Sequence, residues 1–323
     1  MAGVNWPEDG PPRLIPFAEL EEQPFTDACL VEMLRSGEWG RVAIDVPFGW
    51  PTGLLDLLGR WRAGEQVYLP ADRRRGRSET LYRRTDLVTW DLTGVKPIPV
   101  GVESLAWVAL RAFHVLSQAE LHPPLAGRDS SIIETYPKAA LACWPDMPRG
   151  STKSGDAAPR VRAEVLALLA AGVSLTMEDV DRRAILEQRK DHRFDAVICA
   201  LVARAAMVGR TRLPAETDRK AAYEEGWIYL PVAGSLTSLA RPEYLEVEMP
   251  DGFILETLED SESWLEWGRY RREHFDRLPD GSYVCSGHGG SPTWIRCVRR
   301  EDEWLHVIDG GGRPFTYRLH SIE

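Results

Sequence analysis

Two short apolar runs, Val42-Ala43-Ile44 with Val46 and Ile132-Ile133, are too brief for helices and predict buried strands of a mainly parallel sheet. Each run ends in an acid shortly before a proline: Asp45 ahead of Pro47, and Glu134 ahead of Pro137. An ionised carboxylate in a buried strand costs several kcal/mol or more unless it is paired, hydrogen-bonded or holding a cation. Open α/β sheets place their ligands beyond the carboxyl ends of the strands, so one reading makes these acids metal ligands. The other makes Asp45 the cap of the turn that follows.

The remaining patterning fills in the elements around those strands. Residues 2–6 and 13–20 predict two strands joined across a proline-rich turn at 7–12. Helical spacing predicts helices over 25–36, 54–61, 103–118, 160–171 and 191–208, the last two ended by Gly172 and Gly209. His114 falls inside the apolar pattern of 103–118 and reads as a structural histidine. Asp191 and Asp195, four apart, share one helix face. Asp191 complements the helix dipole at a first turn, whereas Asp195 sits among Phe194, Val197, Ile198 and Leu201, which leaves it without so simple a role. Residues 225–231 predict a closing strand.

From about Leu245 the texture changes. Residues 261–275, rich in Trp, Arg and Glu, predict an amphipathic helix; 291–299, 303–308 and 314–319 predict a three-stranded meander. The expected organisation is an α/β domain over 1–240 and a small α+β accessory domain over 241–323. The tryptophans of that second piece, Trp264, Trp267, Trp294 and Trp304, read as its core, with base stacking as the lesser alternative.

Composition narrows the function classes. No apolar run approaches the roughly 20 residues of a membrane span and no signal peptide opens the chain, so the expectation is a soluble cytoplasmic protein with no membrane partner. Five scattered cysteines are expected to be reduced thiols. A zinc site from Cys285, His288, Cys297 and His306 is disfavoured, because the spacing follows no compact finger. The net charge of −10 disfavours non-specific attachment to nucleic acid. One segment runs against it: Asp72-Arg73-Arg74-Arg75-Gly76-Arg77, then Tyr82-Arg83-Arg84-Thr85-Asp86. This is either a solvated loop or an arm that contacts phosphate. The chain has no GxxxxGK, GxGxxG or GxSxG motif, which disfavours a kinase-like nucleotide site.

A strand aspartate (Asp45), a strand glutamate (Glu134) and a helix aspartate (Asp195) then form the set with chemistry in it. Carboxylate oxygens suit Mg²⁺ or Mn²⁺, and such ions stabilise the attacking and leaving oxygens of a phosphodiester displacement.

The segments Val42–Pro51, Tyr82–Asp86, Ile133–Pro137, Phe194–Val197 and Glu225–Pro231, in that order, resemble the domain of unknown function family 429, DUF429. That family is described as predicted nucleases of ribonuclease H-like fold. The resemblance covers roughly residues 1–235. It implies a ribonuclease H-like mixed sheet flanked by helices, a metal-dependent nuclease or phosphodiesterase using Mg²⁺ or Mn²⁺, and a nucleic acid or other phosphodiester substrate. It places the catalytic and metal-binding acids on Asp45, Glu134 and Asp195, with Arg83, Arg84, Asp86 and Tyr136 facing substrate. Such folds open with an aspartate-bearing strand and two antiparallel partners before the first helix. Only two strands precede the first helix here, so the expectation is that the first is missing and that the chain starts at an internal methionine. The alternative is a non-catalytic nucleic-acid- or ligand-binding module that keeps the fold.

Overall fold

The computed structural model describes residues 1–7, 10–20, 26–122, 131–145, 147–148, 152–153, 155–187 and 192–239, with only the backbone of Glu216, and beyond them the backbone of strands between 252 and 321. The chain divides into two compact units: Met1–Ala126 with Ile132–Ala206 and Arg210–Ala240, and Gly127–Ser131 with Met207–Gly209 and Arg241–Glu323.

The first unit is α/β and mostly helical. In chain order it runs β1 (Val4–Asn5), β2 (Arg13–Leu14), α1 (Phe17–Leu20), α2 (Asp27–Ser36), β3 (Val42–Ile44), α3 (Thr52–Arg62), α4 (Arg73–Leu81) and α5 (Arg84–Thr93). There follow α6 (Glu103–Gln118), β4 (Ile132–Glu134), α7 (Pro137–Cys143), α8 (Ala158–Val173), α9 (Asp179–Glu187), α10 (His192–Met207) and α11 (Arg219–Glu225). β1 and β2 pair antiparallel as a sheet of their own. β3 and β4 pair parallel, with Val42 opposite Ile132 and Ile44 opposite Glu134. Ile228 continues this ladder as a parallel bridge to Glu134, and Pro231 bridges antiparallel to Thr211. The closing strand expected at 225–231 is therefore an extended segment held by isolated bridges.

Apolar side chains lie on both sides of that ladder. Val46, Phe48 and Ile132 pack with Ala109 and Leu116 of α6, and with Leu34 of α2. Ala139 of α7 packs against Ile228 and Leu230. α10 is the most deeply seated helix, with Phe194, Val197, Ile198, Leu201, Val202 and Ala205 fully buried. It spans the predicted helix and ends at Gly209, whose φ of 64° is the left-handed turn a carboxyl cap needs.

Four expectations in this unit are corrected. Residues 13–20 do not form one strand: Pro16 ends the extended run, and Phe17–Leu20 turn into α1, where Asp181 Oδ1 accepts the Phe17 N–H at 3.0 Å. The basic segment at 72–77 is not a loop. Asp72 caps α4 by accepting the Arg74 N–H at 2.8 Å, and the arginines occupy its first two turns. Gly172 does not end α8; it lies inside the helix, where a Cβ would collide with Leu236 at 2.6 Å, and Ser174 in the left-handed region closes the helix instead. His114 is exposed, turned away from the apolar face of α6.

The second unit shows a seven-stranded antiparallel sheet in the order β6-β5-β11-β10-β9-β8-β7. Its strands are β5 (Gly252–Leu258), β6 (Trp264–Arg271), β7 (Asp276–Arg277), β8 (Tyr283–Ser286), β9 (Trp294–Glu301), β10 (Trp304–Asp309) and β11 (Pro314–Ser321). The meander β9-β10-β11 follows its prediction. The helix predicted over 261–275 does not form: Trp264–Arg271 is strand β6, paired with β5 along its length. Trp and Tyr favour an extended strand that has a partner, and Gly268 costs a helix about 1 kcal/mol. Glu8, Asp9, Asp191 and His288 lie outside the described residues, as do the side chains on which the readings of the tryptophans and of a zinc site depended.

Candidate active site

The parallel ladder sets the starting positions. Glu134 ends β4, Asp45 directly follows β3, and the Thr135 N–H donates to the Ile44 carbonyl at 3.0 Å, so the two strand ends are held level. At this point the two acids part.

Glu134 is 3 % exposed and points into the protein. Its Oε1 accepts from Arg83 Nη2 at 2.7 Å and its Oε2 from Arg83 Nη1 at 2.8 Å, a fork-to-fork pair. The same Oε2 takes the Phe48 N–H at 2.9 Å. Arg83 is in turn held by Asp86, whose Oδ1 accepts Nη2 at 2.9 Å and whose Oδ2 accepts the Arg83 backbone N–H at 2.9 Å. Arg83 and Asp86 are each 2 % exposed. The two carboxylates hold the guanidinium far above its ordinary range, against the opposing effect of burial. Burial pushes the Glu134 carboxyl up, while Arg83 and the Phe48 amide pull it down.

Glu225, also buried, is the second anchor. Its Oε1 accepts the Thr52 N–H and the Thr52 hydroxyl, each at 2.8 Å, and its Oε2 accepts the Arg84 N–H at 2.6 Å. One carboxylate thus satisfies the amino-terminal N–H groups of both α3 and α5, where its charge also complements the helix dipoles. Gly226 adopts φ +83° beside it, and a Cβ there would press on Glu134 Oε2 at 3.2 Å. Arg84 turns outward to Asp218, Nε to Oδ1 at 2.6 Å.

Asp45 faces the other way and is exposed. Asp195, in the first turn of α10, is a largely buried acid whose Oδ2 lies 3.5 Å from Lys153 Nζ. Asp45 and Asp195 act together on two neighbours: both raise the Tyr136 hydroxyl, which burial raises most, while Lys153 lowers it. Both also add to the burial that drives the Cys199 thiol well above its usual range. Tyr136 lies two residues past the end of β4 and occupies the N-cap position of α7.

Among the described residues no group of three or more His, Cys, Asp or Glu side chains is placed to hold a metal ion. The structure pairs Asp195 with Lys153 and spends Glu134 on Arg83, while Asp45 and Asp195 each raise the Tyr136 hydroxyl. Arg83 and Asp86, expected to face substrate, are buried against each other; Tyr136 is half-buried and Arg84 about half-exposed on its side chain. The family described as Protein of unknown function (DUF429) matches residues 18–219. The chain belongs to DUF429. Four of the five segments that suggested this family, around Asp45, Arg83, Glu134 and Glu225, contribute to the buried lock that Arg83, Asp86, Glu134 and Glu225 form in this DUF429 chain. No curated protein and no solved structure matches it.

Sequence reasoning missed Glu225 and Lys153. Glu225 has no local signature, since its partners lie 141 and 173 residues away. Lys153 sits in a Gly-, Ser- and Asp-rich stretch that reads as a loop. Pairing of Arg83 with Glu134 was open to inference, because a buried strand acid needs a cation and each residue lay in a segment already singled out.

Proposed function

We propose that the chain is a divalent-metal-dependent phosphodiester hydrolase, a nuclease, in which Asp45 and Asp195 hold Mg²⁺ or Mn²⁺. The observation that carries this reading is the placement of Asp45, exposed directly beyond the carboxyl end of β3, together with the Lys153–Asp195 ion pair at 3.5 Å; both acids also raise the Tyr136 hydroxyl, which burial raises most. The donor set fits: Mg²⁺ keeps several waters and is commonly held by one or two carboxylates together with substrate phosphate. When bound, the ion would supply Lewis-acid stabilisation of phosphoryl oxygens. The chain's own groups do the rest. Lys153 offers an ammonium to a phosphate oxygen. Tyr136, kept protonated, can donate a hydrogen bond to the same group. Glu134 is a positioning residue, which fixes Arg83 and the Phe48 amide and through them the loop after Asp45.

A second reading, a metal- or ligand-binding module without turnover, is favoured by the engagement of Glu134 with Arg83, which leaves only two acids of the expected three. Incubation with an oligonucleotide and with bis(p-nitrophenyl) phosphate in Mn²⁺ separates the two. The hydrolase reading predicts cleavage that EDTA abolishes and that falls at least 100-fold in Asp45→Asn and in Asp195→Asn, with melting temperatures near that of the parent. A thermal shift with Mn²⁺ but no cleavage of either substrate would select the binding module.

A further inference from the structure

α3 and α4 pack against each other so closely that a Cβ on Gly53 would run into the Glu79 carbonyl. These helices and the 63–72 connection between them carry two features that a solvated helical hairpin does not require. Trp61 is 69 % exposed and Tyr68 71 %, with Leu58 and Leu69 also more than half exposed nearby in the chain. Six arginines occupy 60–77 in a chain whose net charge is −10. Of these, Arg60 pairs with Glu65 and Arg75 with Glu79. The guanidinium groups of Arg62, Arg73, Arg74 and Arg77 are exposed and carry no acceptor among the described residues. On α4, Arg73 and Arg77 are one turn apart and Arg74 and Arg77 three residues apart, so these charges neighbour one another.

We propose that the α3–α4 face binds single-stranded nucleic acid, with Arg62, Arg73, Arg74 and Arg77 on phosphates and Trp61 and Tyr68 stacking on bases. Exposed aromatic rings and guanidinium groups without a carboxylate partner, carried on one helical hairpin, are the two parts a single-strand platform needs. The charges argue against an anionic bilayer as the occupant: Asp56, Glu65, Asp72 and Glu79 are interspersed through the same surface and would be pressed together against the headgroups. A single strand engages the cations one at a time and leaves those acids in water. The face also leads directly to the buried lock, since Tyr82 alone separates α4 from Arg83 and Glu225 caps α3. The inference deepens the hydrolase reading by naming its substrate as a single strand, and it rests on that reading for this purpose; the binding itself needs no turnover.

The test is fluorescence anisotropy of a labelled mixed-sequence 15-nucleotide strand with the full chain in EDTA, so that cleavage plays no part. Trp61→Ala is expected to weaken binding about five-fold or more, from the loss of one stacked base. Arg73→Ala/Arg74→Ala/Arg77→Ala is expected to weaken it at least ten-fold and to reduce the slope of log K against log salt by about 2. Circular dichroism and melting temperature establish that both variants are folded. No binding by the parent chain, or equal binding and equal salt slope in both variants, overturns the proposal. So does binding to phosphatidylserine vesicles, lost in the same variants, without oligonucleotide binding. Failure of the two readings is separable: binding without Mn²⁺-dependent cleavage removes the hydrolase alone, whereas cleavage of bis(p-nitrophenyl) phosphate without strand binding removes the platform alone.

Discussion

Asp45 lies one residue past Ile44, the partner of Glu134 in one parallel ladder, yet Asp45 is exposed and Glu134 almost wholly enclosed by an arginine and an amide. That difference decides what each can do. A buried carboxylate whose partner is removed, or a guanidinium left behind by one, costs about 3–5 kcal/mol. Glu134→Gln is therefore expected to lower unfolding free energy by about that amount in urea titration, while Asp45→Asn changes it by less than about 0.5 kcal/mol, as surface substitutions do. Equal effects would mean that the lock is not what holds this region. The cysteines give a pH-dependent counterpart. Cys29, partly buried and accepting from the Thr26 hydroxyl at 3.3 Å, has its thiol pKa lowered by that bond, whereas burial pushes Cys143 up to about 11. A lowered pKa puts the thiolate at lower pH, so alkylation of Cys29 should level off first as pH rises. Modification of Cys143 should continue to climb towards pH 11, with peptide mass spectrometry reading both sites.

At the scale of elements, helices written in apolar periodicity were legible: 103–118 is α6 to the residue, and 191–208 is α10 to within one residue at each end. What was not legible depends on partners distant in sequence. Gly172 looked like a cap and is instead a point of close approach to Leu236, 64 residues further on; nothing near it in the chain distinguishes the two. The stretch Trp264–Arg271 carries enough Trp, Tyr and Leu for either a helix or a strand, and its pairing with β5 decides for the strand. Of the site, the acids and their strands could be read but not their orientation, because apolar runs of two or three residues do not say which face is covered. The loop from β3 to α3 is held in the same long-range way. A Cβ on Gly49 would collide with the Glu225 carbonyl, a backbone atom that cannot swing aside. Gly49→Ala should destabilise by about 1–3 kcal/mol. Glu225→Ala, which strips the amino-terminal caps from α3 and α5 together, should cost about 2 kcal/mol or more, measured by the same denaturant titration. A neutral Glu225→Ala would show that water satisfies those helix ends equally well.

Among the described residues, an acidic chain places Arg62, Arg73, Arg74 and Arg77 without a carboxylate partner on one pair of helices, and sets Asp45 just beyond the carboxyl end of a short parallel ladder. No helix among the described residues is long and apolar enough to cross a membrane. The account rests on Asp45 and Asp195 binding one divalent ion without Glu134. Calorimetric titration of Mn²⁺ into the parent chain and into Asp45→Asn, Asp195→Asn and Glu134→Gln, each at a temperature where it is folded, tests this most directly. Binding should vanish in both aspartate variants and survive in Glu134→Gln. Binding kept by both aspartate variants, or lost only in Glu134→Gln, would contradict it.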